Sequence, residues 1–305
     1  MRLLLASICL MATTSGCISS RFSAMRVETQ ELTTDPLVAL DVSTFNGNVT
    51  IRPADEPKVE MEITYKAYGA TQDAAEANVQ ELGCDIQADN GTLILKAVKP
   101  SDQWMAQAAF EVKAPRNCDL KIVTSNGTVD VADFDAPVKI QTSNGTVKLA
   151  NISGSIDAGT SNGTIHANNT VGPIQLSTSN GRINFAGFLV GTENRFSTSN
   201  GRVEVALPVD CYAKVNAKTS NGKVKCSLPN EELKSGKRSL EALVGLPQPG
   251  QTQASLSVRS SNGSITLKPM DDLPPATTEQ PSGEVAQGSI SDEADAEISG
   301  SEISL

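Results

Sequence analysis

Seven times between residues 125 and 263 the chain repeats one tripeptide, Ser-Asn-Gly, and the spacing of the copies restricts the fold more than any other feature. Its asparagines fall at Asn126, Asn144, Asn162, Asn180, Asn200, Asn221 and Asn262, in steps of 18, 18, 18, 20, 21 and 41. A fixed period near 20 marks a solenoid, in which each repeat is one unit stacked on the last. The final step spans about two periods and reads as a decayed copy or an insertion. Weaker copies stand upstream, in TFNGNVTI at Thr44–Ile51 and in DNGTLIL at Asp89–Leu95.

Around each tripeptide apolar residues alternate, as in Val129 and Val131 after it, or Val138 and Ile140 before the next. Period-two alternation means strands with one buried face. Each repeat is therefore two short strands and two corners, with neighbouring coils one strand spacing, about 4.8 Å, apart. Asn-Gly readily takes positive φ, which turns the chain at low cost. The alternation runs into Thr124, Thr142, Thr160, Thr178, Thr198 and Thr219, which should face inward. The asparagines should stack at one corner, their amides bonded along a column. The residue after each glycine should face out, giving a column of Thr128, Thr146, Thr164, Arg182, Arg202 and Lys223, with Ser264 in the last copy. The predicted class is all-β, a β-solenoid with coils of about 18–21 residues over 37–269.

The rest of the chain supplies ends. Residues 71–82, TQDAAEANVQEL, are the one helical stretch and form a short capping helix; bare terminal coils need such cover. Residues 227–253 break the rhythm as a loop or second capping insert. The nine acids after Lys268, with no Lys or Arg among them, account for nearly all of the net charge of −10. Residues 270–305 read as a disordered acidic tail. No basic stripe is visible, which argues against nucleic acid.

The start, MRLLLASICLMATTSGC, has a basic Arg2, a short apolar stretch and small residues before Cys17. It resembles a bacterial lipoprotein signal over 1–16, with Cys17 as the lipidated N-terminus and 17–36 as a polar tether. Ile18 is not the aspartate linked to inner-membrane retention. The expected place is thus the cell envelope, at the outer membrane or cell surface, held by lipid. An ordinary secretory signal is the alternative. Four cysteines remain, Cys84, Cys118, Cys211 and Cys226. Export permits disulfides, with Cys84–Cys118 and Cys211–Cys226 as the expected pairing and four buried thiols as the alternative. No spacing suits a metal, and no cofactor is expected.

The order of these segments is similar to the bacterial putative-adhesin domain family of unknown function. Thr44–Ile51 matches its first corner, Val59–Leu82 its strand and short helix, Gly91–Leu95 a following strand, and FEVKAPRNCDLKIVTSNGTVDV from Phe110 the start of its repeats. The resemblance implies a β-solenoid of exported proteins and brings no catalytic residues. A surface-anchored, non-catalytic interaction module is the leading expectation, with a glycan or an envelope protein as partner. The alternative is a carbohydrate-active β-helix enzyme. It would use carboxylate pairs drawn from Asp130, Asp133, Asp135 and Asp157. The lone His166 should point outward beside inward Ile165. The outward Thr-to-Arg-to-Lys column could meet an anionic glycan or a phosphate-rich surface.

Overall fold

The computed structural model describes residues 2–11, 22–33, 37–100, 105–245, 247 and 252–270. The chain divides into Met1–Leu273 and Pro274–Leu305, and the second unit, with the expected tail, lies outside the described residues. Cys17 lies outside them too.

The first part of the chain carries β1 (Arg2–Met11), β2 (Phe22–Thr33), β3 (Ala39–Asn46), β4 (Val49–Pro53), β5 (Lys58–Gly69), α1 (Gln72–Gln80), β6 (Gly83–Asp89), β7 (Thr92–Val98) and β8 (Gln107–Ala114). The repeats follow as strand pairs: β9 (Asp119–Asn126) with β10 (Val129–Phe134), β11 (Val138–Asn144) with β12 (Val147–Ile152), and β13 (Ile156–Thr160) with β14 (Ile165–Gly172). Next come β15 (Ile174–Thr178) with β16 (Ile183–Leu189), β17 (Asn194–Thr198) with β18 (Val203–Leu207), and β19 (Ala213–Thr219) with β20 (Val224–Cys226). The hairpin strands β21 (Asn230–Gly236) and β22 (Ser239–Val244) precede a last coil, β23 (Ala254–Ser260) and β24 (Ile265–Pro269).

The fold is a β-solenoid of two parallel-rich sheets. One runs β4-β10-β12-β14-β16-β18-β24-β20 through its coils, the other β3-β9-β11-β13-β15-β17-β23-β19. Register holds like on like: Val129 pairs Val147, Val147 pairs Ile165, and Ile165 pairs Ile183. These four side chains are fully buried, so each coil adds one aliphatic rung per sheet to a continuous core. Burying such a side chain contributes about 1.5–3 kcal/mol. A one-residue slip would turn the whole strand inside out, which pins the register.

Stack order differs from chain order. The coil β23–β24 lies between β17–β18 and β19–β20: Thr198 pairs Ser260, and Ser260 pairs Thr219. The long step from Asn221 to Asn262 is therefore neither a decayed copy nor a simple insertion. The chain skips one level, builds the outermost coil, caps it with β21–β22, and returns to fill the gap. The cap pairs antiparallel, β22 on β19 and β21 on β22. Its outer strand carries Glu231 and Lys234, charges of the kind that blunt an exposed edge.

The other end is capped by the segment between β4 and β9. TFNGNVTI is a true coil, with Asn46 paired to Asn126 and Val49 to Val129. DNGTLIL is not. Asn90 (φ 47°) and Gly91 (φ 78°) make the two-residue turn of an antiparallel hairpin, β6–β7. Two positive φ values match the twist of hairpin strands, so there Asn-Gly has its ordinary hairpin role. Helix α1 starts at Thr71, whose hydroxyl accepts from the Ala74 N–H at 3.2 Å, and it buries Ala75 and Val79.

The polar-tether expectation fails over Phe22–Thr33. That segment is a twelve-residue strand antiparallel to β5, with Ala24 and Leu32 fully buried. Arg26 is also buried; its guanidinium bonds the Leu82 carbonyl, pairs with Glu28 at 3.1 Å and lies 4.3 Å from the Tyr65 ring centroid. A polar count hid an alternating strand that β5 completes. On its far side β2 pairs with β1. Neither expected disulfide is present: Cys84, Cys118, Cys211 and Cys226 are all free thiols. Burial pushes the Cys84 and Cys118 thiols up to about 12 and raises Cys211 as well.

Candidate functional site

The Thr-Ser-Asn-Gly corner has one task per residue. The threonine is inward and carries its hydroxyl to the preceding coil. Thr160 donates to the Gly145 carbonyl at 3.2 Å, Thr178 to Gly163 at 3.1 Å, Thr198 to Gly181 at 3.1 Å and Thr219 to Gly263 at 2.8 Å. Ser260 does the same to Gly201 at 3.1 Å. A buried hydroxyl must find such a partner or cost its desolvation; Thr142 is the exception, buried without one. The serines at 125, 143, 161 and 179 face out.

The asparagines form a ladder on the exposed corner. Asn144 Nδ2 donates to Asn126 Oδ1 and Asn162 Nδ2 to Asn144 Oδ1, both at 2.8 Å. Asn180 donates to Asn162 at 2.8 Å and Asn200 to Asn180 at 2.7 Å. The ladder then follows the stack, from Asn262 to Asn200 at 2.6 Å and from Asn221 to Asn262 at 2.7 Å. At its lower end Asn126 bonds Asn46.

The glycines answer a different need from the expected one. Only Gly47 and Gly127 of the eight corner glycines have φ values that L side chains avoid, at 152° and 150°. At the rest, space decides. A Cβ on Gly145, Gly163, Gly181, Gly201 or Gly263 would lie 1.6–1.8 Å from the glycine carbonyl oxygen of the coil beneath. Glycine stacks on glycine because nothing larger fits between the coils.

A second ladder runs along the other corner, unseen in the sequence. Asn151 donates to Asp133 and Asn169 to Asn151, each at 2.7 Å, and all three have positive φ (68°, 53° and 49° for Asp133, Asn151 and Asn169). These positions keep the period of 18 but share no tripeptide, so no repeated motif marked them. The ladder ends where the coil lengthens to 20. There Asn194 is buried, accepts from the Ile174 N–H at 3.0 Å and donates to the Ser255 carbonyl at 3.0 Å.

The outward column stands beside the asparagine ladder. Its backbone carbonyls give the order directly: Thr146 is bonded by Val129, Thr164 by Val147, Arg182 by Ile165, Arg202 by Ile183, Ser264 by Val203 and Lys223 by Ile265, all at 2.9–3.0 Å. Thr128 lies below, bonded by Val49. Lys223 thus does not follow Arg202; Ser264 intervenes. Lys237, in the turn of the capping hairpin, takes the next position, bonded by the Val224 N–H at 3.1 Å. Arg182, Arg202 and Lys223 are exposed, Thr128, Thr146 and Thr164 half-buried. Arg202 pairs with Glu204 at 3.2 Å; among the described residues Arg182, Lys223 and Lys237 are in no ion pair.

The acids proposed for catalysis are dispersed. Asp130 and Asp157 lie on the outer faces of opposite sheets, paired with Arg52 at 2.7 Å and Lys139 at 3.5 Å. Asp133 is in the second ladder, and Asp135 is 3.9 Å from Arg116. His166 is half-buried, 3.3 Å from Asn184, and desolvation together with Lys148 lowers its pKa. A groove of about 610 Å³ crosses the second sheet past Asp41, Lys121, Lys139 and Asp157. Lys121 pairs there with Asp41 and Lys139 with Asp157, while Asp119 and Glu193, also in the lining, leave the groove with more acid than base. Among the described residues no cluster of His, Cys, Asp and Glu could hold a metal, and no helix is long and apolar enough to cross a membrane.

The family described as Toastrack DUF4097 matches residues 17–268. No curated protein matches the chain. Among solved structures the chain is similar to a putative cell adhesion protein from Clostridium sporogenes, 11% identical with a TM-score of 0.38, over 80% of this chain and 99% of that one. It is also similar to a putative adhesin from Bacteroides fragilis (16%, TM-score 0.35, 79% and 96%) and to a putative lipid binding protein from Parabacteroides distasonis (14%, TM-score 0.35, 79% and 96%). At these scores the likenesses carry no argument about activity.

Proposed function

We propose, for a chain that belongs to the Toastrack DUF4097 family, a non-catalytic, adhesin-like interaction module held at the cell envelope by a lipid on Cys17. The observation that carries this reading is the ladder-built corner. It presents a fixed row of hydroxyls and cations on the stack, while Asp130 and Asp157 lie on opposite sheets, each paired with a cation. A function carried by regular surface needs only that regularity, and repeat folds commonly serve this way. Read as an export signal, residues 1–16 add the location, and their removal would take β1 from the outer side of β2. The family match starts at Cys17, the residue proposed to become the mature N-terminus. One acyl chain alone would give marginal binding, whereas a multiply acylated cysteine anchors stably. The partner is a glycan or an envelope protein; neither cofactor nor nucleic acid enters.

Two measurements test the two parts. Metabolic labelling with an alkyne fatty acid should mark the wild-type protein and not Cys17→Ala; an unlabelled wild type sinks the anchor. Residues 18–305, purified without lipid, should bind washed envelopes saturably. Binding that only grows linearly with envelope added sinks the interaction role.

A further inference from the structure

The absence of a basic stripe, read from the sequence, does not hold in the structure: the final coils carry a row of positive charge that the chain's overall acidity conceals. Three of the column's last four positions before the cap turn are cations, Arg182, Arg202 and Lys223, and the turn adds Lys237 and Arg238. The strands beside the corner add more. Lys218 and Arg259 are register partners and both exposed, and Lys225 is exposed on the other side. Glu204 is the acid paired within this group, with Arg202. No ion pair among the described residues uses the other cations. Neither sequence order nor net charge shows this, because Lys237 and Arg238 reach the corner only through the capping hairpin, and the β23–β24 coil brings Arg259 beside Lys218.

We propose that this corner, from Arg182 to Lys237, binds a linear polyanionic glycan laid along the stack. The inference rests on the proposed interaction role and names its partner class. Three features favour this ligand. Successive column positions are one strand spacing apart, about 4.8 Å, close to the rise of one sugar in an extended glycan. The column continues below the cations as the hydroxyls of Thr164, Thr146 and Thr128, which suit sugar hydroxyls beyond the charged stretch. The asparagine ladder beside it uses one Nδ2 hydrogen per residue, leaving the other to donate outward. No column position is aromatic, so the stacking platforms that hold single-stranded nucleic acid are missing. A bilayer surface would call for a broad face with apolar residues to insert, whereas this is a single line of polar side chains.

The probe is polygalacturonate, a linear chain of carboxylated sugars, with its methyl-esterified form as the uncharged control and phosphatidylglycerol vesicles as a lipid surface. The variant is Arg182→Thr/Arg202→Thr/Lys223→Thr, which places in the upper coils the residue already present at 128, 146 and 164 and so keeps the corner folded. Residues 18–305 should bind polygalacturonate in a salt-sensitive way and ignore the ester. The triple variant should bind roughly tenfold more weakly, if each exposed cation contributes on the surface ion-pair scale. Glu204→Gln should tighten binding by freeing Arg202, and Thr146→Lys/Thr164→Lys should tighten it by lengthening the charged row. Equal binding by wild type and triple variant overturns the proposal. So does vesicle binding that the triple variant loses while polygalacturonate is not bound. If the triple variant still binds envelopes as well as wild type, this inference fails while the broader interaction role stands.

Discussion

Replacing Gly163 by alanine separates two explanations of the repeated tripeptide. If the glycine served only to reach positive φ, alanine would cost about 1–2 kcal/mol. Gly163 does not have such a φ, and on backbone grounds alone alanine would even stabilise slightly by restricting the unfolded chain. The structure gives a larger cost for a different reason. The new Cβ would lie 1.8 Å from the Gly145 oxygen and 2.6 Å from its carbon, where contacts under 3.0 Å essentially never occur. Both obstacles are backbone, so the two coils must separate by more than 1 Å at this point. That stretches the Asn162 N–H bond to Ser143 (2.8 Å), the Asn162 side-chain bond to Asn144 (2.8 Å) and the Thr160 hydroxyl bond to Gly145 (3.2 Å). At about 1 kcal/mol net for each, the loss is about 3 kcal/mol. The control is Gly191→Ala, where φ is +72° and nothing stands within 4 Å, so only the backbone term of about 1 kcal/mol applies. Urea titration followed by circular dichroism compares the two midpoints. Hydrogen exchange across residues 143–164 checks for local opening, since repeat arrays need not unfold in one step. A Gly163→Ala variant no less stable than Gly191→Ala refutes the steric account.

Three further outcomes are expected. Thr160→Val keeps the buried shape but leaves the Gly145 carbonyl without the hydroxyl that reaches it, and should cost about 1–2 kcal/mol in the same titration; no change would mean that water takes over the bond. Because His166 has a lowered pKa in the fold, the unfolded chain binds its proton first as pH falls. Stability should therefore be unaffected above the ordinary histidine pKa near 6.5 and decline below it until the folded imidazole also protonates, a slope that His166→Gln should remove. Cys84 and Cys118, with thiols pushed up to about 12, should resist iodoacetamide at pH 8 in the native protein. All four body cysteines should alkylate in urea without reductant, and peptide mass spectrometry showing a bridged pair would contradict the free thiols seen here.

What the residues determined by themselves is the local, repeated part. Alternation put Val129, Val147 and Ile165 inward, and the regular period near 18 pointed to stacked coils, in which parallel strands in register set like residue on like and bury every such face. Tertiary structure decided whatever depends on which surfaces meet. Phe22–Thr33 looked like a tether until β5 supplied its partner strand. Asn90-Gly91 and Asn126-Gly127 carry the same dipeptide, yet one turns a hairpin and the other a coil, because their flanking strands pair antiparallel in one case and with different coils in the other. The order of the last coils was hidden for the same reason: Thr198 can pair as well with Ser260 as with Thr219, and the β21–β22 cap leaves the gap that Ser260 fills. That return of the chain sets the charged corner, interposing Ser264 between Arg202 and Lys223 and bringing Lys237 in beyond them. Spacing along a sequence reports the period of a stack, but neighbours across it are chosen by hydrogen bonds between strands far apart in the chain.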